Sequence, residues 1–147
     1  RHIEWPIVIM LAAMIPIGQA LESTGITALI ASEVVSLAGG LHIFWVLMII
    51  LIITMLITDV INNAATAVIM APFSVNIALQ LGQPLEPFLM VVAVGASCAF
   101  LTPIGHQCNT LVMGPGNYKF SDYWRLGLPL DILIVLASIP MILFVWL

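Results

Sequence analysis

Thr58-Asp59-Val60-Ile61-Asn62-Asn63-Ala64-Ala65-Thr66 and Thr102-Pro103-Ile104-Gly105-His106-Gln107-Cys108-Asn109-Thr110 are two polar stretches set in apolar surroundings. Their reading decides the fold. A bare amide or carboxylate is costly in hydrocarbon, so polar groups at membrane depth line a cavity or bind something. Around them 63% of the 147 residues are hydrophobic and 7% are charged, with a mean hydropathy of +1.22. No soluble domain of this size needs so much apolar sequence. The pattern is that of an all-α integral membrane protein, part of a transporter.

Working outward from the first cluster, residues 41–82 form two apolar arms around it, closed by Gly82-Gln83-Pro84. Each arm is about 25 Å long as helix, near the lower limit for crossing a hydrocarbon core of about 30 Å. Two readings fit: a re-entrant helical hairpin with its tip at mid-membrane, or two short spans joined outside it. The hairpin is favoured, because an exposed turn would be expected to carry Gly, Pro or Lys rather than Asn-Asn-Ala-Ala-Thr. Asp59 does not forbid insertion, since about +3 kcal/mol is outweighed by a dozen Leu, Ile, Met and Val at roughly −0.3 to −0.6 each.

The second cluster interrupts residues 87–113. Pro103 removes a helix hydrogen bond and Gly105 loosens the backbone, so a broken span with exposed carbonyls at Thr102 to Gly105 is expected. Upstream, residues 1–24 read as a span, and 26–38 as an amphipathic helix at the interface, ended by Gly39-Gly40. Downstream, Gly114-Pro115-Gly116-Asn117 reads as a surface turn. Ser121-Asp122 is expected to N-cap a last span over 121–147. Threading these elements puts Arg1, Lys119 and Arg125 on one side of the membrane and Glu22, Glu33 and Glu86 on the other. The basic side is then cytoplasmic, and the hairpin enters from outside. The chain begins without Met and runs straight into apolar sequence, and is expected to be a fragment of a multi-pass cell-membrane protein.

A tip facing a broken span would gather Asn62, Asn63, Thr66, Thr102 and Asn109 near the bilayer midplane, with Pro103 making the break. Helix N-termini there favour an anion, while unwound carbonyls and Asn oxygens suit a sodium ion, with Asn63 and Asn109 as its candidate ligands. His106 either donates to the anion or satisfies a carbonyl freed by the break. Asp59 coordinates sodium or positions the tip by capping backbone amides; the second is favoured because a carboxylate would repel an anion. The rival for any one Asn or Thr is hydrogen bonding between neighbouring helices.

Several classes are excluded. Three basic residues and a net charge of −4 give no footprint for nucleic acid. Cys98 and Cys108 lack the neighbouring ligands of a zinc site. No nucleophile, base and orienting group stand at recognisable spacing, so no enzyme is expected. Sodium, as coupling ion, is the one inorganic partner expected, and no organic cofactor is.

At these residues the chain resembles the divalent anion:sodium symporter family, among citrate-transporter-like permeases of the ion-transporter superfamily. T-D-V-I-N-N-A-A-T-A (58–67) is similar to that family's hairpin motif Thr-Glu-x-x-Ser-Asn-Thr-Ala-Thr, and T-P-I-G-H-Q-C-N-T-L-V (102–112) to the helix break that follows it. G-P-G-N-Y-K-F-S-D-Y-W-R-L-G-L-P (114–129) resembles the branch whose members often carry regulatory cytosolic domains mid-chain. Asn63 matches the motif Asn that contacts substrate and the sodium region; Asn62 replaces the motif Ser, and Ala64 the motif Thr. Asn109 matches an Asn at the break, where His106 and Gln107 replace the commoner Thr-Pro. These departures point toward sulfate or another small oxyanion as well as di- or tricarboxylates.

The resemblance implies one half of an inverted-repeat transporter, whose missing N-terminal repeat completes the site. It also implies a homodimeric parent in the bacterial inner membrane, with the hairpin domain moving against a dimerising scaffold. Two alternatives stand beside sodium-coupled anion transport. One is a sodium/proton antiporter or arsenite-type permease of the same superfamily, in which Asp59 would titrate. The other is a non-transporting membrane subunit whose polar clusters bury against partner helices.

Overall fold

The computed structural model describes residues 42–147, together with positions 12, 16, 20, 23–25 and 32. The expected span over 1–24 and interfacial helix over 26–38 lie, apart from those few positions, outside the described residues. Five helices follow: α1 (Ile43–Thr58), α2 (Asn63–Leu81), α3 (Leu85–Ala96), α4 (Gln107–Met113) and α5 (Phe120–Trp146).

α1 buries Val46, Leu47, Ile50, Leu51, Thr54, Met55 and Thr58. That spacing of three and four residues is one face of a helix. The stripe meets Phe88, Val91 and Val92 of α3, and α2 adds Met70, Phe73 and Ile77 to the same core. Each of α1 and α2 packs more extensively on α3 than on the other. α3 is thus the element on which both arms rest. Ser74 fixes the α2 side, its hydroxyl donating to the Phe88 carbonyl at 2.9 Å.

The turn between the arms covers residues 59–62. Asn62 stands at the N-cap of α2, its Oδ1 accepting from the Ala65 amide at 2.8 Å. Asn63 to Thr66 therefore belong to the first helical turn and not to a loop. α2 ends at Gly82, whose φ of 62° is the left-handed conformation that caps a helix. α1 has 16 residues, about 24 Å at 1.5 Å per residue.

The interruption of the following span is longer than its Pro and Gly announce. α3 stops at Ala96 and helix resumes only at Gln107, so the break covers 97–106 rather than the stretch around Thr102. The physical reason lies in competing acceptors and donors. The Ala96 carbonyl takes the Thr58 hydroxyl at 3.0 Å, and the Ala99 carbonyl takes the Asn109 amide at 2.7 Å. Side chains remote in sequence replace the missing helical donors.

α5 likewise starts a residue before its expected boundary, at Phe120, with Lys119 in the N-cap position. Ser121-Asp122 is not the cap. Asp122 instead reaches back from the third helical position to accept the Lys119 amide at 2.8 Å. α2 and α5 are both long and apolar enough to cross a membrane. Only Gly127, Ile139 and Ile142 of α5 are buried, while Leu126, Leu133, Leu136 and Phe144 are exposed. An apolar outer face of this extent suits lipid or a membrane-embedded neighbour, not water.

Candidate functional site

Three side chains bind the turn at 59–62 to the break at 97–106. The Asp59 carboxylate accepts the Leu101 amide through Oδ1 at 3.0 Å. The Thr102 hydroxyl donates to the Asp59 carbonyl at 2.6 Å and accepts the amides of Ile104 at 3.3 Å and Gly105 at 3.1 Å. The Thr58 hydroxyl sits 3.0 Å from both the Ala96 carbonyl and Asn63 Oδ1. Thr58 is fully buried and Asp59 nearly so. The approach is close enough to demand glycine: a Cβ at Gly105 would stand 2.9 Å from the Thr58 carbonyl and 3.0 Å from the Asp59 Cα.

Asn109 closes the break from its far end. Its Nδ2 donates to the Ala99 carbonyl at 2.7 Å and to the Thr102 carbonyl at 3.1 Å, while its own carbonyl accepts the Tyr123 hydroxyl of α5 at 2.7 Å. Thr110 adds a bond to the Pro103 carbonyl at 2.6 Å. Among the described residues, Asn109 spends its Nδ2 on the break, whereas Asn63 meets the Thr58 hydroxyl, whose one proton serves either Asn63 Oδ1 or the Ala96 carbonyl. The atom left over on Asn109 is its side-chain carbonyl acceptor.

The structure thus brings Asp59, Asn63 and Thr102 into one hydrogen-bonded unit, with Asn109 and buried Pro103 in the same break. No hydrogen bond links Asn63 directly to Asn109 among the described residues. Thr66 is fully buried in the first turn of α2, and its hydroxyl has no partner among the described residues. Asn62 and His106 are exposed helix caps; the imidazole Nδ1 accepts the Cys108 amide at 3.2 Å. Buried Cys98 and exposed Cys108 are both free thiols. No group of three or more His, Cys, Asp or Glu is placed to hold a metal among the described residues.

Three residues escape the sequence reading. Thr58 looks like one more helix terminus, yet it links both interruptions. Gly127 looks like a weak point in α5, yet a Cβ there would lie 2.4 Å from the Phe100 carbonyl oxygen. The last helix can therefore lie directly on the break. Asp131, one turn further along the same helix face, is the third. It lines a cleft of about 320 Å³ with Ile52, Met55, Leu56, Leu101 and Leu128. The signal that could have found it is a carboxylate in the apolar body of a 27-residue helix, beyond the Asp122 of its first turn.

Comparison with known proteins places these elements. The family model described as citrate transporter matches residues 1–147. An uncharacterized transporter of Escherichia coli (strain K12) is 40% identical over 142 residues, 97% of this chain and 23% of that protein. One from Synechocystis sp. is 38% identical over 144 residues, covering 98% of this chain and 24% of the relative. Sodium/sulfate cotransporter 2 of Chlamydomonas reinhardtii is 28% identical over 139 residues, 94% of this chain and 16% of the cotransporter. The chain spans about a quarter, or less, of the length of these relatives.

Proposed function

This chain belongs to the citrate transporter family, a family of membrane transporters and not of enzymes, and from that membership we propose that it forms part of a secondary-active, sodium-coupled transporter of small divalent anions. The observation that carries the reading is the bonding of the turn at 59–62 to the break at 97–106 through Asp59 and Thr102. In a membrane, two such interruptions held together make a polar locus that apolar packing alone would not require.

Within that locus Asn63 Nδ2 and the amide-rich start of α2, with Asn62 and Thr66, face the anion. Asn109 Oδ1 and an oxygen of Asn63 take the sodium ion, a hard cation that prefers oxygen ligands. Thr102 and Pro103 shape the break, and His106 tunes the choice of anion from its exposed position at the head of α4. Asp59 positions the tip through its bond to Leu101 and stays off the anion. α1 and α2 form a re-entrant hairpin, for which the short α1, about 24 Å against a core of about 30 Å, is the support.

In the same proposal an N-terminal repeat of the parent completes the site, two parent molecules form a dimer, and the hairpin domain moves relative to the scaffold. The parent is a multi-pass protein of the cell membrane, the bacterial inner membrane where the source is a bacterium. Sulfate is the first anion to test, because several relatives are described as sodium/sulfate cotransporters. Uptake by the full-length parent in proteoliposomes is expected to be sodium-dependent for sulfate or for a di- or tricarboxylate. Uptake of none of these with sodium, or equal uptake without it, contradicts the proposal.

A further inference from the structure

We infer that Asp131 is a proton-binding site, separate from the anion locus, at the contact between α5 and the break. Its place in the fold is set by Gly127. With no Cβ at that position α5 lies against the Phe100 carbonyl, and Asp131, four residues on, faces the same segment. There it borders the cleft of about 320 Å³ whose walls are Ile52, Met55 and Leu56 of α1, Leu101 of the break, and Leu128 and Ile132 of α5. Among the described residues Asp131 is the sole polar side chain lining it. Its Oδ1 is shut off from solvent and has no hydrogen-bond partner among the described residues.

A carboxylate in such surroundings must be neutralised by a proton, a cation or a donor. The cleft decides between the first two. Sodium requires several oxygen ligands, and among the described residues the side chains of the walls supply none beyond the carboxylate itself; a proton requires one acceptor. The second observation comes from behind the break. Asp59 is nearly fully buried, and its Oδ2 likewise has no partner among the described residues. Asp59 Oδ1 is committed to the Leu101 amide, and Leu101 is also a wall of the Asp131 cleft. Two carboxylates thus flank one strip of backbone, Asp59 through its bond to the Leu101 amide and Asp131 across the cleft that Leu101 walls.

The other ionisable groups on the packed elements do not offset them. Cys98, buried in the break, lies within electrostatic reach of both carboxylates and is not a cation. Glu86 is exposed in the first turn of α3, and His42 and His106 are exposed caps. Asp122 and Arg125 sit more than a turn earlier on α5. The proton is taken from water onto Asp131 and returned to water, with no bond made or broken elsewhere. Its loss places a charge at the contact between α5 and the break, so protonation governs how closely the last helix rests on the broken segment.

Infrared difference spectroscopy of the full-length parent in lipid, recorded from mildly acid to alkaline pH, tests this directly. The parent is expected to show a protonated-carboxyl band that titrates, and Asp131→Asn to lose that band together with the pH dependence of sulfate uptake. Asp131→Glu, which keeps the acid, is expected to retain the band with a shifted midpoint; it decides the matter should the Asn variant fail to fold. An unchanged band in Asp131→Asn, or no titrating band in the parent, overturns the inference. Sulfate binding against sodium, measured on the same sample, reports on the proposed function independently of the infrared result.

Discussion

The turn at 59–62 and the break at 97–106 interrupt apolar helices by different means. The turn is four residues long and largely self-contained: Asn62 caps the helix that follows, and the amides of Val60 and Ile61 bond the Ile57 carbonyl within the turn's own helix. The break is ten residues long and depends on others. Its backbone is held by Thr58 and Asp59 from the turn, by Asn109 from α4, and by α5 lying on Phe100. A short interruption can be stabilised by its own caps, whereas a long one must borrow side chains from elsewhere. The break should therefore fail first when its lenders are changed, and the turn should tolerate change better.

The largest expected effect comes from removing the space that α5 gives the break. Gly127→Leu drives a side chain into the Phe100 backbone, which cannot swing aside as a flexible side chain would, and should cost about 3 kcal/mol or more. Thermal unfolding of the full-length parent in lipid or detergent checks it. A variant as stable as the parent would break the comparison, because the break would then not need α5.

Asp59→Ala is expected to cost about 2 kcal/mol, since it strands the Leu101 amide in a partly buried place. Asp59→Asn should recover much of that, because an amide oxygen can still accept. The ordering of the two melting temperatures sharpens the comparison: equal losses would mean that charge, and not hydrogen bonding, ties turn to break. Asn62→Ala removes the turn's own cap and should cost about 1 kcal/mol, the smallest of the three. A loss larger than that of Asp59→Ala would reverse the ranking of the two interruptions.

How much of this was written plainly in the sequence follows the same division. The arms were legible because unbroken apolar runs end on residues whose chemistry is local, Asn62 at one end and Gly82 at the other. The break was legible as an interruption, through Pro103 and Gly105, but not in its extent. Its start at Ser97 depends on Thr58, 38 residues before the Ala96 carbonyl that it engages, and no local pattern records that. The Lys119 cap went unread because Ser121-Asp122 is the better cap by residue type, yet Asp122 acts from inside the first turn. Asp131 is not legible from the sequence, because a carboxylate is easily outweighed in a long apolar helix and only its neighbours in space give it meaning. Asn63 and Asn109 are legible together as amides in the two clusters; the structure adds that Asn109 has spent its Nδ2 on the break and keeps its side-chain carbonyl.

That last distinction supports the most direct test of the central claim, that the turn and the break together hold anion and sodium. Sulfate binding to the purified full-length parent, titrated calorimetrically at several sodium concentrations, should be weakened at least about tenfold, or about 1.4 kcal/mol, by Asn63→Ala and by Asn109→Ala. Asn109→Ala should in addition lose sodium dependence, because it removes the carbonyl oxygen left for the cation. Melting temperatures recorded alongside confirm that each variant is folded. If both folded variants bind sulfate with the parent's affinity and the parent's response to sodium, the two polar clusters are packing features and the account is contradicted.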